Sequence, residues 1–375
     1  MWLSVVPGAP VEDLASALID IPSVSGDERA ITDQIEAVLR GVPHLEVLRL
    51  GNALVARTAL GRAERVIVAG HVDTVPIKDN VPSVRSDDGE WIIGRGSVDM
   101  KCGIAVQLAL AVELAAPTRD VTWVFYDQEE VEEPRNGLGR IARERPELLE
   151  GDFAILCEPT SAVIEGGCNG TLRVQVTVHG KAAHSARSWK GINSIHGMAP
   201  FLATLAVYEH EDVEVDGLIF REGVNAVGIT GGIAGNVVPD VCTVTINYRF
   251  SPAWTVDEAK ARVERLITSS FESSPAPAGQ SVTWKYTDEA AAARPGLDAP
   301  MAIAFADAVA ATGAPAPRAK LGWTDVARFG QLGIPAVNFG PGDPERAHAD
   351  DERCPVADVR RCHAALRDWL TAPVS

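Results

Sequence analysis

Residues 121–133 read VTWVFYDQEEVEE, an apolar run that ends directly on acids. Val121, Trp123 and Phe125 alternate with Thr122, Val124 and Tyr126, and this aromatic and β-branched content predicts a buried strand. Chemistry in open α/β sheets collects beyond the carboxyl ends of the strands, so Glu129 and Glu130 fall where a site is expected. Adjacent side chains diverge, which lets one glutamate ligate a metal while its neighbour faces a substrate as general base. Taken alone, the run also reads as a solvated acidic turn, because Glu132 and Glu133 extend it.

Working outward, residues 65–74, RVIVAGHVDT, form a second apolar strand that delivers His71 and Asp73 at its end. Positions two apart in an extended chain point the same way. A carboxylate there can hold the far nitrogen of a metal-bound imidazole, although a strand-end histidine beside a turn aspartate is the plainer reading. Next comes GRGSVDMKCG at 94–103, a glycine-punctuated loop opening a helix, with Asp99 placed either as its N-cap or as a two-oxygen metal bridge. Beyond the acids, residues 134–150 predict a helix and 152–156 a third buried strand. That strand ends on Cys157-Glu158-Pro159, and a residue before proline is held extended.

The N-terminal part, residues 11–40, predicts two helices broken by IPSVSGDE, with Ser25 as a cap of the second and Glu28 at the capping-box position. Residues 45–60 give two short strands around Gly51-Asn52, and Asn52 is free to point toward a site. From Cys168 the texture changes to the half-exposed alternation of antiparallel strands. The order βαββαβ makes 169–287 an inserted second domain of split βαβ type, between a first part at 1–168 and a second part at 288–375. The first texture then returns, with a helix beginning at Pro300, a short strand in IPAVNFG, and His348 in the loop GPGDPERAHADDE. Loops of this kind carry sites, and surface histidines also sit in them.

With 375 residues, 46% hydrophobic and 23% charged, the chain has the composition of a globular protein large enough for two domains. A net charge of -17 argues against nucleic acid and anionic membrane as partners. An anionic substrate would need local arginines. No long apolar run suggests a membrane span, and the start, MWLSVVPGAPVEDLA, lacks the features of a signal peptide, so the cytoplasm is the expected location. Six cysteines without CxxC spacing predict reduced, buried thiols.

GHVDTVP, GRGSVDMKCG, DQEEVEE, CEPT and PERAHADDE, in this order, resemble the co-catalytic di-zinc aminoacylase and carboxypeptidase family over nearly the whole chain. The resemblance implies an α/β zinc-exopeptidase-like fold, a mixed sheet flanked by helices, with the insertion as a ferredoxin-like lid and dimerisation domain. It implies that Asp99 bridges two divalent metals, zinc or alternatively cobalt. His71 and Glu158 would complete one site, and Glu130 and His348 the other. Glu129 would be the general base and Asp73 would orient His71. In the insertion, His184 resembles a histidine that reaches the partner subunit's active site and stabilises an oxyanion, which implies a homodimer. Asn236, Arg249 and Thr324 resemble substrate contacts.

Within the family, Glu158 in place of aspartate favours the desuccinylase, deacetylase and carboxypeptidase branches over the aminotripeptidases. TDVARF, IPAVNFGPGDPERAHADDE and RVQVTVHGKAAHSAR resemble the desuccinylase branch, which implies cleavage of N-succinyl-LL-2,6-diaminopimelate on the lysine and cell-wall route. Acetylornithine deacetylation, or another N-acyl-amino-acid hydrolysis, is the alternative in the same class. A non-catalytic binding protein of this fold is the alternative outside it, and it would lack a ligand or the base. Two positions depart from the pattern: Cys102 stands where a glycine-like residue is common, and Pro344-Glu345-Arg346 where relatives offer a neutral polar contact.

Overall fold

Three apolar runs, β3 (Arg65–His71), β6 (Asp120–Tyr126) and β7 (Phe153–Leu156), lie parallel in the computed structural model, which describes residues 3–272 and 277–374. Val68 of β3 stands opposite Trp123 on one side and Ile155 on the other. Every residue of β6 is buried, as in a strand covered on both faces. The chain divides into two compact units, the first made of Met1–Gly166, Pro295–Arg318 and Arg328–Ser375, the second of Gly167–Arg294 and Ala319–Ala327.

The main sheet of the first unit adds β1 (Glu46–Leu50), β2 (Ala53–Arg57), β8 (Glu165–Gly166), β16 (Arg318–Ala319) and β17 (Ala336–Asn338). Among the described residues its order is β1-β2-β6-β3-β7-β17-β8-β16. The centre is parallel, while β1, β2 and β8 run antiparallel to their neighbours, so the sheet is mixed. A small sheet of β4 (Val84–Arg85), β5 (Trp91–Ile93) and β18 (Arg353–Pro355) sets residues 94–99 beside 348–352. Helices α1 (Val11–Ile19), α2 (Arg29–Arg40), α3 (Lys101–Glu113), α4 (Gly137–Glu144), α7 (Pro300–Ala310) and α9 (Val356–Thr371) belong to this unit.

Helix α3 is buried on all sides from Lys101 to Ala111, because it packs on β3 and β6 and is covered in turn by α1 and α9. Gln107 pins it to the sheet by donating to the carbonyls of Val68 at 3.1 Å and Val124 at 2.9 Å. Its first turn passes so close to β7 that a Cβ on Gly103 would stand 2.2 Å from the Cys157 carbonyl oxygen. Each buried Leu or Ile along this helix contributes about 1.5–3 kcal/mol.

The second unit is built on a sheet of β9 (Gly170–His179), β11 (Glu211–Val215), β12 (Leu218–Gly231), β14 (Val241–Phe250) and β15 (Ser281–Ala290), in the order β11-β12-β14-β9-β15. Helices α5 (Ser194–Ala206) and α6 (Val256–Glu272) pack on it, and β10 (Ala183–His184) pairs separately with β13 (Val237–Val238). Short α8 (Val326–Gln331) begins within the segment 319–327.

Several expectations are corrected. The capping box does not form: α2 starts at Arg29 without a side-chain cap, and Ser25 bonds elsewhere. Asp99 does not cap α3, whose N-cap is Met100. Residues 134–150 are not one helix, because Pro134 lies in a 3-10 turn before α4 and Pro146 opens another after it. Asn52 faces Glu28 and Arg49. The second sheet has a further edge strand, β11, which its acidic sequence EDVEV concealed.

Candidate metal centre

Strand β3 ends on His71, which is 1% exposed, and the chain then turns so that Asp73 is fully buried beneath the ends of β3 and β6. Asp73 accepts the backbone N–H groups of Glu129 at 3.0 Å and Glu130 at 3.1 Å, and the Ser25 hydroxyl at 2.7 Å. His71 Nδ1 lies 3.1 Å from the Asp73 carbonyl oxygen and 3.4 Å from its carboxylate. The carbonyl is thus the nearer partner, while the carboxylate mainly secures the loop of the two glutamates. Either contact turns Nε2 the other way, toward Asp99 Oδ1 at 3.0 Å.

Asp99 offers its second oxygen to a second imidazole: Oδ2 lies 3.3 Å from His348 Nε2, and the same nitrogen is 2.9 Å from Glu130 Oε1. Ligand atoms of His71, Asp99 and Glu158 lie within 4.8 Å of one another, as do those of Asp99, Glu130 and His348. These two sets share Asp99. Glu129 falls in a third such set with His71 and Glu130, so both glutamates border the same space. His348 has a left-handed backbone, φ 66, a conformation uncommon outside glycine and held here by the surrounding loop.

The electrostatics describe a cluster that demands cations. Hydrogen bonds to Asp99 and then Glu130 lift the His348 imidazole to about 10. Burial opposes protonation of His71, yet bonding to Asp73 and Asp99 carries its pKa well up. Burial pushes Asp99 up as well, but hydrogen bonds from His348 and His71 bring it below the usual carboxylate range. Glu130 is raised by burial and by the charge of Asp99. His71 and His348 thus each face an oxygen of Asp99, with imidazole and carboxylate in direct contact. Metal ions fit the same place: zinc bound at about 2.0–2.1 Å sets tetrahedral ligand atoms about 3.3 Å apart, close to the spacings above, and the donors are imidazole and carboxylate with no thiolate.

The remaining expected residues lie in the second unit. His184 is exposed on β10, and its Nδ1 accepts the Ala186 N–H at 3.1 Å, which leaves Nε2 to carry the proton of the neutral ring. Asn236 immediately precedes β13, its carbonyl accepting Ser185 N–H at 2.8 Å. Arg249 is on β14 opposite Gly223 and Thr171. Thr324 is buried, and its carbonyl accepts from Ala327 N at 3.2 Å. The sequence offered Ser25 only as a helix cap and did not single out Arg95 or Glu352. The only trace of them was an arginine inside the glycine loop and an acid four residues after His348.

The chain belongs to peptidase family M20/M25/M40, whose sequence profile matches residues 67–372. It is 50% identical over 364 residues to a Mycobacterium tuberculosis protein assigned as succinyl-diaminopimelate desuccinylase DapE, covering 97% of this chain and 98% of that one. It is 45% identical over 363 residues to the succinyl-diaminopimelate desuccinylase of Corynebacterium glutamicum, covering 96% and 95% of the two chains. A solved dinuclear metal-binding M20 peptidase of Bacillus subtilis shares the fold at a TM-score of 0.71 and 16% identity, over 96% of both chains. The chain is a hydrolase of amide bonds.

Proposed function

We propose that this chain hydrolyses N-succinyl-LL-2,6-diaminopimelate to succinate and LL-2,6-diaminopimelate, using two divalent cations. Zinc suits the donor set best and cobalt substitutes for it. The observation that carries the chemistry is Asp99, whose two oxygens face His71 and His348 at 3.0 and 3.3 Å. The substrate rests on near-full-length similarity to chains that bear this activity in their names.

His71, Asp99 and Glu158 would hold one cation, and Asp99, Glu130 and His348 the other. When bound, such a pair supplies Lewis acidity that acidifies water and polarises a carbonyl. Glu129 takes the proton of the attacking water and delivers it to the leaving amine, while Asp73 holds the Glu129 backbone and the His71 ring in place. His184 donates to the oxyanion of the tetrahedral intermediate. Arg249 clamps a substrate carboxylate, with Asn236 and Thr324 as further contacts.

A second copy of the chain is the partner that makes His184 useful. Past Glu222 the outer edge of β12 has no pairing strand among the described residues, and Val227 and Ile229 on it are 59% and 56% exposed. A homodimer would cover this edge. Among the described residues no helix is long and apolar enough to cross a membrane, and all six cysteines are free and buried, which supports a reducing cytoplasm.

The test is steady-state hydrolysis of N-succinyl-LL-2,6-diaminopimelate beside N-acetylornithine, with metal-loaded and chelated protein. Metal-dependent turnover that prefers the succinyl compound is the expected result. A preference for N-acetylornithine would move the chain to the deacetylase branch, and two bound metals without turnover of either would leave a binding protein.

A further inference from the structure

Arg95 and Glu352 form an ion pair at 2.7 Å with 2% and 1% of their side chains exposed. Burying two charges is a weak route to stability, since apolar residues of similar volume serve as well or better. What a buried pair offers instead is direction. Glu352 Oε1 accepts the backbone N–H groups of Val98 at 2.8 Å and Asp99 at 3.0 Å, and the Glu352 carbonyl accepts that of Gly94 at 3.0 Å. Arg95, through the nitrogen that binds Glu352, also donates to the carbonyl of Ala349 at 3.2 Å, the residue after His348, while its Nε donates to Pro76 at 3.1 Å.

We infer that Arg95 and Glu352 are positioning residues that clasp the Asp99 loop to the His348 loop and thereby set the second cation position, the one formed by Asp99, Glu130 and His348. This inference rests on the di-metal reading above. Asp99 and His348 are far apart in sequence, and each side chain is fixed through its own backbone. The clasp holds both backbones at once. His71 and Glu158 are carried instead by the ends of β3 and β7, so the first cation position depends on the clasp through Asp99 alone.

The test is calorimetric titration of the apoprotein with zinc, with folding followed by circular dichroism and thermal unfolding. Wild-type protein should bind two equivalents, and fewer than two would remove the di-metal reading itself. Glu352→Gln keeps the shape and loses the charge. It should fold and bind the weaker equivalent about tenfold to a hundredfold less tightly, with a smaller change in the first. Arg119→Lys disturbs another buried arginine of the same unit, bonded to Glu64 at 2.8 Å at the opposite ends of the strands, and should titrate as wild type. Two unchanged equivalents in folded Glu352→Gln would overturn the inference. Should that variant not fold, Arg95→Met, which removes the donors to both Glu352 and Ala349, takes the same readings, and unchanged binding there overturns it equally. Loss of fold in both would also overturn it, by making the pair a folding element.

Discussion

Asp73 and Glu129 are joined through a 3.0 Å bond from the Glu129 backbone N–H to Asp73 Oδ1, and the next amide, of Glu130, reaches Oδ2 at 3.1 Å. A residue close to the His71 imidazole thus also fixes the loop of the proposed base. Removing the acceptor strands buried donors, each costing about 1–3 kcal/mol. Asp73→Ala should therefore lower both stability and metal affinity, the latter about tenfold to a hundredfold. Ser25→Ala should cost about 1 kcal/mol and leave two metals bound. Denaturant unfolding and metal titration of both variants check this, and full metal affinity in Asp73→Ala would count against it.

The adjacent glutamates should separate cleanly. Glu129→Gln is expected to lose about 10²–10⁴ in turnover while keeping both metals, the signature of a lost general base. Glu130→Gln should bind one metal fewer or more weakly. Elemental analysis beside steady-state kinetics reads both, and an unchanged stoichiometry in Glu130→Gln removes it from the ligand set.

His184 is exposed, and in the proposed homodimer it donates to the oxyanion in the other subunit's site. His184→Ala is expected to lose about 10²–10³ in kcat with metal content intact. Mixing it with Glu129→Gln under subunit exchange should restore a measurable fraction of activity, since one site in each mixed dimer is then whole. No recovery in demonstrably mixed dimers would contradict a shared site.

Burial pulls the Lys101 amine down to about 7, with Glu352 the largest opposing charge. Its Nζ donates to the Ile21 carbonyl at 2.6 Å. The folded pKa lies below the unfolded value near 10.4, so the unfolded chain holds the proton more tightly between them. The penalty for burying the charge is full below about 7 and is relieved as pH rises. Stability of the metal-free protein should climb from this group by up to about 1.4 kcal/mol per pH unit above neutrality. Urea unfolding at several pH values should show this slope in wild type and its loss in Lys101→Met. An equal slope in the variant would contradict the assignment.

Strand ends were legible because β3, β6 and β7 are continuous apolar runs that stop abruptly at His71, Asp127 and Glu158, a pattern set by local composition. The helix expected to begin at Pro300 is α7, Pro300–Ala310. The misses share a physical cause. Ser25 looked like a local cap because capping is a short-range pattern, whereas its bond to Asp73 spans 48 residues. Arg95 and Glu352 are 257 apart, and nothing in either neighbourhood announces the other. Strand β11 is acidic and exposed on an edge, held by pairing with β12 through Arg221 and Asp212 among others, so its hydrophobic pattern is faint. Local periodicity found the strands that end on the proposed ligands, and long-range hydrogen bonds hold the backbones around them.

The most direct measurement of the central claim is anomalous X-ray scattering at the zinc edge from zinc-loaded crystals. Two peaks flanking the Asp99 carboxylate are predicted, one among His71, Asp99 and Glu158 and the other among Asp99, Glu130 and His348. A single peak, or peaks that do not share Asp99, would contradict a bridged di-metal site.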